Sequence, residues 1–200
     1  MNVAPHPMAT KRNLYSWNPI TLILFCIWIL ISGDSFAEQA SNWICSKNQA
    51  TGNSSNPCTE YELHVTIQTG IDAGKFGAFG IFAQHPVNNN RAAFWTLKKG
   101  WNPYIGGIML PVDGQYNSLP KSQEYVIYRG KKEDICKLAN GLNFDVIAGY
   151  GVLTPENKKI ITEMNVGAEE ASILRQKAIQ SDALMSQKGG VVFSQTCERD

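Results

Sequence analysis

The chain has 200 residues, and its 18 lysine and arginine side chains are nearly balanced by 17 aspartate and glutamate side chains. A chain so close to neutrality does not supply the concentrated basic surface that nucleic-acid binding needs, so we expect no nucleic-acid partner. Binding to an anionic membrane surface is disfavoured for the same reason. The 17 glycines and the 10% aromatic content are typical of a β-rich domain with many turns.

The first 37 residues have the three-part order of a secretory signal peptide. Lys11 and Arg12 supply a positive start, an apolar run occupies 20–31, and small residues at 35 and 37 form a cleavage site. This run is shorter than the roughly 20 residues that a bilayer-spanning helix needs, and an uncleaved anchor helix is the alternative. We expect cleavage after Ala37 and a mature chain of 163 residues that begins at Glu38. That chain has no predicted transmembrane span and is expected in the periplasm, in the medium or at the cell surface.

Four of the five cysteines lie in the predicted mature chain, at positions 45, 58, 136 and 197. An even number of cysteines in an exported chain predicts two disulfides, with three possible connectivities. We favour Cys45–Cys58, because the turn-rich segment between them can close a short loop. Cys136–Cys197 then ties the C-terminal strand to the middle of the domain. The spacings contain no Cys-x-x-Cys and few histidines accompany them, so no metal site is expected.

Alternation of apolar and polar residues predicts a series of short strands after an irregular, disulfide-looped segment at 38–60. The clearest strand is 61–69, where Leu63, Val65 and Ile67 share one face and His64 lies on the polar face. Further strands are predicted at 76–84, 92–97, 104–110, 125–128, 144–150 and 191–196. Six or seven short strands indicate a single β-rich domain at 61–200, mainly β and α+β overall, built as a β-sandwich or a partly open barrel.

A helical segment at 155–186 precedes the last predicted strand. Thr154, Pro155 and Glu156 supply a capping hydroxyl, a proline at the first helical position and an acid in the first turn. A second helix is predicted from about residue 168, and a short helical turn is predicted at 135–138. The second helix carries apolar residues such as Leu174 between polar faces, so it either covers one face of the sheet or docks onto another protein.

The sequence contains no Gly-x-Ser-x-Gly, no His-Glu-x-x-His and no phosphate-binding loop. We therefore expect no catalytic residue and no cofactor, and we favour a non-enzymatic role. The alternative is a secreted enzyme that acts on polysaccharide or peptidoglycan. Its site would bring together His64, His85 or a pair of carboxylates such as Glu60 and Glu62.

Trp95, Trp101 and Tyr104 are the candidate binding residues. They lie close together in the sequence, and aromatic side chains near a sheet surface can stack on sugar rings or anchor a protein partner. A carbohydrate-binding module is therefore a further alternative, and it requires these side chains to be exposed and coplanar. The competing interpretation places both tryptophans in the core of the domain.

Short motifs resemble those of β-sandwich modules in bacterial cell-surface and pilus-associated proteins, over roughly residues 61–153. The motifs are Phe94-Trp95, Gly100-Trp101, Gly106-Gly107 and Gly149-Tyr150-Gly151. The resemblance implies a non-catalytic module and transfers no functional residue. We therefore expect an exported, non-enzymatic binding or structural protein of the bacterial cell envelope or surface. Its expected partner is another envelope or surface protein, or a glycan.

Overall fold

The structure is a computed structural model that describes residues 39–48, 58–87 and 92–197. The predicted signal peptide and the cleavage site before Glu38 lie outside the described residues.

The described part of the chain contains eight β-strands. They are β1 (Gln39–Asn48), β2 (Cys58–Gln68), β3 (Gly77–Gln84), β4 (Ala92–Thr96), β5 (Gly100–Tyr104), β6 (Ser122–Gly130), β7 (Phe144–Val152) and β8 (Gly189–Gln195). The strands form two antiparallel sheets, a three-stranded sheet in the order β1-β2-β6 and a five-stranded sheet in the order β5-β4-β3-β7-β8. The mainly β, α+β fold predicted from the sequence is confirmed.

The two sheets meet at both pairs of edges. At one seam the Ser41 hydroxyl of β1 donates to the Val192 carbonyl oxygen of β8 at 2.5 Å. At the other seam Trp101 Nε1 of β5 donates to the Ile127 carbonyl oxygen of β6 at 3.1 Å. In a closed barrel, backbone hydrogen bonds would join the two sheets along these edges. Here side-chain hydrogen bonds join them instead, so the architecture is a partly open barrel.

Side chains that alternate along the strands fill the space between the sheets. Leu63, Val65 and Ile67 of β2 are at most 1% exposed, as their alternation predicted. They pack with the inward-facing side chains of the five-stranded sheet. This second set includes Phe79, Ile81, Trp95, Val146, Ala148 and Tyr150.

The expectation of irregular chain at 38–60 is wrong for residues 39–48 and 58–60. These residues form β1 and the start of β2, and Trp43 lies opposite Leu63 in the antiparallel pair. The sequence of β1 is mostly polar, and Trp43 is its large side chain packed against the core. Its strand conformation therefore follows from pairing with β2 and not from an alternating pattern of its own.

The strand predicted at 104–110 is also wrong, because β5 occupies Gly100–Tyr104 and the chain leaves the sheet after it. Gly100 has φ +68° and follows the short loop of the β4–β5 hairpin, which explains why the segment has the composition of a turn. Pro103 is tolerated because β5 is an edge strand of its sheet. After Tyr104, Gly106 and Gly107 have φ values of +101° and +86°, and the chain leaves the sheet.

Within the described residues, the α-helices are α1 (Ile135–Leu138), α2 (Pro155–Glu163) and α3 (Ala168–Met185), close to their predicted positions. The predicted cap is present, because Thr154 Oγ1 accepts a hydrogen bond from the backbone N–H of Asn157 at 3.2 Å. Helix α2 buries none of its residues, whereas α3 lies against β7. For α3, the structure therefore agrees with the interpretation that the helix covers the sheet.

The connection between β5 and β6 is held to the barrel by two buried anchors. Val112 and Leu119 are 1% and 2% exposed. The Val112 N–H donates to the Phe79 carbonyl oxygen of β3 at 3.0 Å, and the Val112 carbonyl oxygen accepts from the Leu97 N–H after β4 at 2.7 Å. Val112 therefore bridges β3 and the end of β4, and it fixes the position of the residues just before it.

Both disulfides have the predicted connectivity. Cys45–Cys58 joins β1 to β2, with a Cα–Cα distance of 5.8 Å. Cys136–Cys197 joins α1 to the residues after β8, with a Cα–Cα distance of 5.7 Å. The second disulfide ties the C-terminal strand to the middle of the domain, as expected.

Candidate functional site

The outer face of β3 and β7 is built from small residues where most strands carry large side chains. Ala78 lies opposite Gly151, and Gly80 lies opposite Gly149. Because side chains alternate along a strand, these four residues share the face that points away from the barrel core. The backbone itself therefore forms much of this surface.

Gly151 allows α3 to lie directly on the sheet. A Cβ at residue 151 would stand 1.9 Å from the carbonyl oxygen of Ile179, a distance that no side chain could accommodate. Ile179 is 2% exposed and is the buried residue of α3. Leu174, the helix residue singled out from the sequence, is only half-buried. The main apolar contact of the helix is thus made by Ile179 and not by Leu174.

Open space lies above Gly80, on the same face. A Cβ built at residue 80 would meet no atom within 4 Å, although Gly151 is fully covered two strand positions away on the neighbouring strand. Here the sheet and α3 diverge and leave a cavity of about 410 Å³, which we call the helix groove. Its floor and walls come from β3, β7, α3 and the β5–β6 connection. The groove residues used below are Ala78, Gly80, Phe82, Gln84, Met109, Leu110, Ile147, Gln176, Gln180, Ala183, Leu184 and Gln187.

Two glutamines of α3 hold the wall formed by the β5–β6 connection. The Met109 N–H donates to Gln180 Oε1 at 3.0 Å, and Gln176 Nε2 donates to the Met109 carbonyl oxygen at 3.4 Å. The glutamines are four residues apart and therefore lie on the same face of the helix. Their amides fix the backbone of the connection, so that Met109 and Leu110 face the groove opposite the sheet.

An ion-paired network fixes the C-terminal end of α3. Asp182 Oδ2 accepts from the backbone N–H of Val152 at 2.9 Å and lies 2.8 Å from Lys188 Nζ. Lys188 Nζ also lies 3.0 Å from Asp72 Oδ2, and Lys75 contacts the other oxygen of Asp72. Helix, strand and the turn before β8 are therefore joined at one point.

The charges of this network shift its own pKa values. Burial alone would raise the pKa of Asp72, but hydrogen bonds and charge from Lys75 and Lys188 outweigh it and lower this pKa below 3.8. Burial would lower the pKa of Lys188, but Asp182 and Asp72 raise it above 10.5. Burial and the nearby Asp72 carboxylate raise the pKa of the Tyr150 hydroxyl, which donates to the Thr69 carbonyl oxygen at 2.8 Å. At neutral pH Asp72 and Lys188 are therefore charged, and the contact of Lys188 with Asp182 ties α3 to this network.

The helix groove itself carries no charge: among the described residues that line it, the polar side chains are glutamines and the hydroxyl of Tyr150. At its rim Leu184 is 66% exposed and Leu110 is 54% exposed. Large apolar side chains at the mouth of an apolar groove are typical of a site that is covered by a ligand.

No model of a known protein family, no curated protein and no solved structure matches this chain. Among the described residues, no helix is both long enough and apolar enough to cross a membrane.

The three candidate binding residues do not form one exposed surface. Trp95 is 6% exposed and belongs to the core. Trp101 lies opposite Trp95 on the same inward face, and Tyr104 lies on the other face of β5 because it is an odd number of residues away. The aromatics are thus not coplanar, and the interpretation of the tryptophans as core residues agrees with their positions.

Trp101 lines a second cavity, of about 470 Å³, between β5, the adjoining ends of β3 and β4, and the segment 138–144. Pro103, Leu138 and Phe144 are among its apolar neighbours there. The indole N–H of Trp101 already donates to Ile127, so the polar atom of this side chain is used within the barrel.

His64 belongs to a polar cluster on the outer face of the three-stranded sheet. Its Nε2 lies 2.9 Å from Glu62 Oε2 and its Nδ1 lies 3.2 Å from Glu124 Oε1 on β6. Arg129 Nε lies 3.0 Å from the other oxygen of Glu62. His64 thus lies between a carboxylate of its own strand and one of the neighbouring strand β6. His85 follows β3 in the other sheet, so the two histidines are not brought together.

Glu60, the other acidic residue considered from the sequence, pairs with Lys47 at 3.2 Å on the surface. Among the described residues, no group of three or more histidine, cysteine, aspartate or glutamate side chains is placed to hold a metal ion.

The residues of the helix groove were not identified from the sequence. Gly149 and Gly151 were named there, but only as part of the module resemblance. Gly149 and Gly151 are two residues apart on a strand that precedes helices α2 and α3, so they share one face of that strand. This spacing is the signal that could have indicated the groove, since a glycine-lined outer face leaves room for a helix to cover it.

Proposed function

We propose that this protein is an exported, non-enzymatic binding protein of the bacterial cell envelope and that the helix groove holds its ligand. The observation that carries the proposal is the open space above Gly80, which α3 and the residues Met109 and Leu110 line together. A cavity of about 410 Å³ falls within the usual range of ligand sites, roughly 300–1,000 Å³.

The chemistry of the walls restricts the ligand. Moving an ionised group into an apolar, unpaired environment costs several kcal/mol, so the part of the ligand inside the groove is uncharged. Apolar contacts with Phe82, Ile147 and Leu184 supply the affinity, and the glutamine amides at the rim can accept or donate single hydrogen bonds.

Two observations support export. Both disulfides join elements of the same domain, and stable disulfides are typical of chains that fold in an oxidising compartment. The signal-like order of the first 37 residues is the second. Together they favour the periplasm, the medium or the cell surface.

The test uses N-phenyl-1-naphthylamine, an uncharged apolar fluorophore whose emission rises in apolar surroundings. Gly80→Leu places a side chain in the open space of the groove without a backbone clash, because nothing lies within 4 Å of the added Cβ. We expect the full mature chain to bind the probe and Gly80→Leu to bind it at least tenfold more weakly, with an unchanged melting temperature.

Gly167→Leu is the matched control. It makes the same change at an exposed glycine with open space around its Cβ, at the start of α3 and outside the groove. Equal probe binding by Gly80→Leu and Gly167→Leu, with both variants folded, would overturn the assignment of the groove as a ligand site.

A further inference from the structure

We infer that the helix groove binds one unbranched acyl chain of a lipid, with the headgroup left in solvent. This inference rests on the proposed function and names its ligand class. It is carried by the shape of the groove, by its uncharged walls and by the pairing of the strands beneath it.

The shape of the groove fits a linear chain. Its floor follows β3 from Ala78 to Gln84, a length of about 20 Å at about 3.3 Å per residue. A cavity of about 410 Å³ that runs along this strand suits an extended ligand such as an acyl chain.

The floor of the groove is too fully paired for an extended peptide to add to it as a strand. β3 and β7 pair with each other along the whole floor, from Gly77 opposite Val152 to Gln84 opposite Asp145, so the floor offers a peptide no strand edge to extend. An acyl chain needs no such backbone partner.

The walls and the rim fit the same ligand. None of the described lining residues has a charged side chain, so a hydrocarbon in the groove would leave no charge unpaired. Leu184 of α3 and Leu110 of the β5–β6 connection both line the groove and are exposed. A chain that enters between them covers both, and its polar headgroup stays outside with water.

The experiment measures displacement of N-phenyl-1-naphthylamine from the full mature chain by a series of monoacylglycerols, from octanoyl to hexadecanoyl. We expect affinity to rise by up to about fourfold for each added methylene and then to level off once the groove is filled. Gly80→Leu should abolish displacement by the longer members, whereas Gly167→Leu should preserve the whole series. Replacing glycerol by phosphocholine on the best chain should change the affinity less than threefold.

The outcomes separate the inference from the proposed function. If the probe binds, Gly80→Leu blocks it and no acyl chain displaces it, the groove is a ligand site but the acyl assignment is overturned. Displacement by an uncharged apolar hexapeptide in preference to the acyl series overturns it in favour of a peptide ligand. An affinity that does not depend on chain length also overturns it. If Gly80→Leu fails to block the probe itself, the proposed function fails first.

Discussion

The backbone of Gly151 on β7 lies directly beneath the carbonyl oxygen of Ile179 on α3, so close that a Cβ at residue 151 would stand 1.9 Å from that oxygen. Helix and sheet thus touch backbone to backbone at this point and diverge toward Gly80. The helix groove exists because the contact is tight at Gly151 and absent at Gly80. Gly151 therefore sets how closely α3 approaches the sheet, and the missing side chain at Gly80 leaves the space that a ligand can occupy.

Gly151→Ala should destabilise the domain by about 1–3 kcal/mol, the usual cost of forcing extra atoms into a packed contact. The added methyl must push α3 away from the sheet, because the nearest obstacle is helix backbone and not a flexible side chain. Urea unfolding followed by circular dichroism measures the effect. Gly80→Ala makes the same change on the same face over open space and should lie within about 0.5 kcal/mol of the wild type. Equal losses in both variants would contradict this account of the helix contact.

Ile179→Ala should cost about 2–4 kcal/mol, because it removes a side chain that is 2% exposed between α3 and the sheet. Leu174→Ala should cost clearly less, since Leu174 is half-buried and its atoms remain partly in contact with water. Thermal and urea unfolding of the two single variants give the comparison. A larger loss at Leu174 than at Ile179 would show that the helix is held to the sheet at a different point.

Local patterns identified the elements that carry their own periodicity. Leu63, Val65 and Ile67 alternate, and they are the buried face of β2. Thr154 and Pro155 mark the start of α2, where the capping bond is found. In each case the residues that reveal the element are the residues that stabilise it, so a short window of sequence contains the necessary information.

Elements that depend on distant partners were missed. β1 is polar and forms a strand because β2 supplies its hydrogen bonds. β5 contains Pro103, a residue that is tolerated there only because β5 is an edge strand. The helix groove depends on residues from β3, β7, α3 and the β5–β6 connection, which are far apart in the chain. No local pattern encodes the space that they leave between them. Trp95 and Trp101, the conspicuous aromatics, instead help to fill the barrel.

The Asp72–Lys188–Asp182 network should make stability depend on pH at both extremes. The pKa of Asp72 is lowered below 3.8 in the folded chain, so the unfolded chain binds more protons in this range and stability falls as the pH drops below about 4. The pKa of Lys188 is raised above 10.5, so its contribution is present at neutral pH and is lost as the pH rises beyond that value. Melting temperatures measured across the pH range test both the loss of stability at acid pH and the loss at alkaline pH.

Asp72→Asn should melt at a lower temperature than the wild type at pH 7, because it leaves Lys188 with a single carboxylate partner. The difference between the two proteins should shrink as the pH falls below about 4, where the wild-type carboxylate also becomes neutral. Glu156→Gln, at an exposed position in the first turn of α2, is the control and should follow the wild type throughout. A difference between wild type and Asp72→Asn that stays constant with pH would show that charge at residue 72 is not what holds the network.

The two disulfides should differ in what they contribute. Cys136 and Cys197 are 61 residues apart, whereas Cys45 and Cys58 are 13 apart, and a longer closed loop removes more entropy from the unfolded chain. The chain-entropy relation gives about 4 kcal/mol for the long loop and about 3 kcal/mol for the short one. Cys197 is also 7% exposed and packs in the core, so its replacement adds a packing loss. The double variant Cys136→Ala/Cys197→Ala should therefore unfold at lower urea than Cys45→Ala/Cys58→Ala. The reverse order would mean that the β1–β2 hairpin, and not the tie to the C-terminal strand, limits the stability of the barrel.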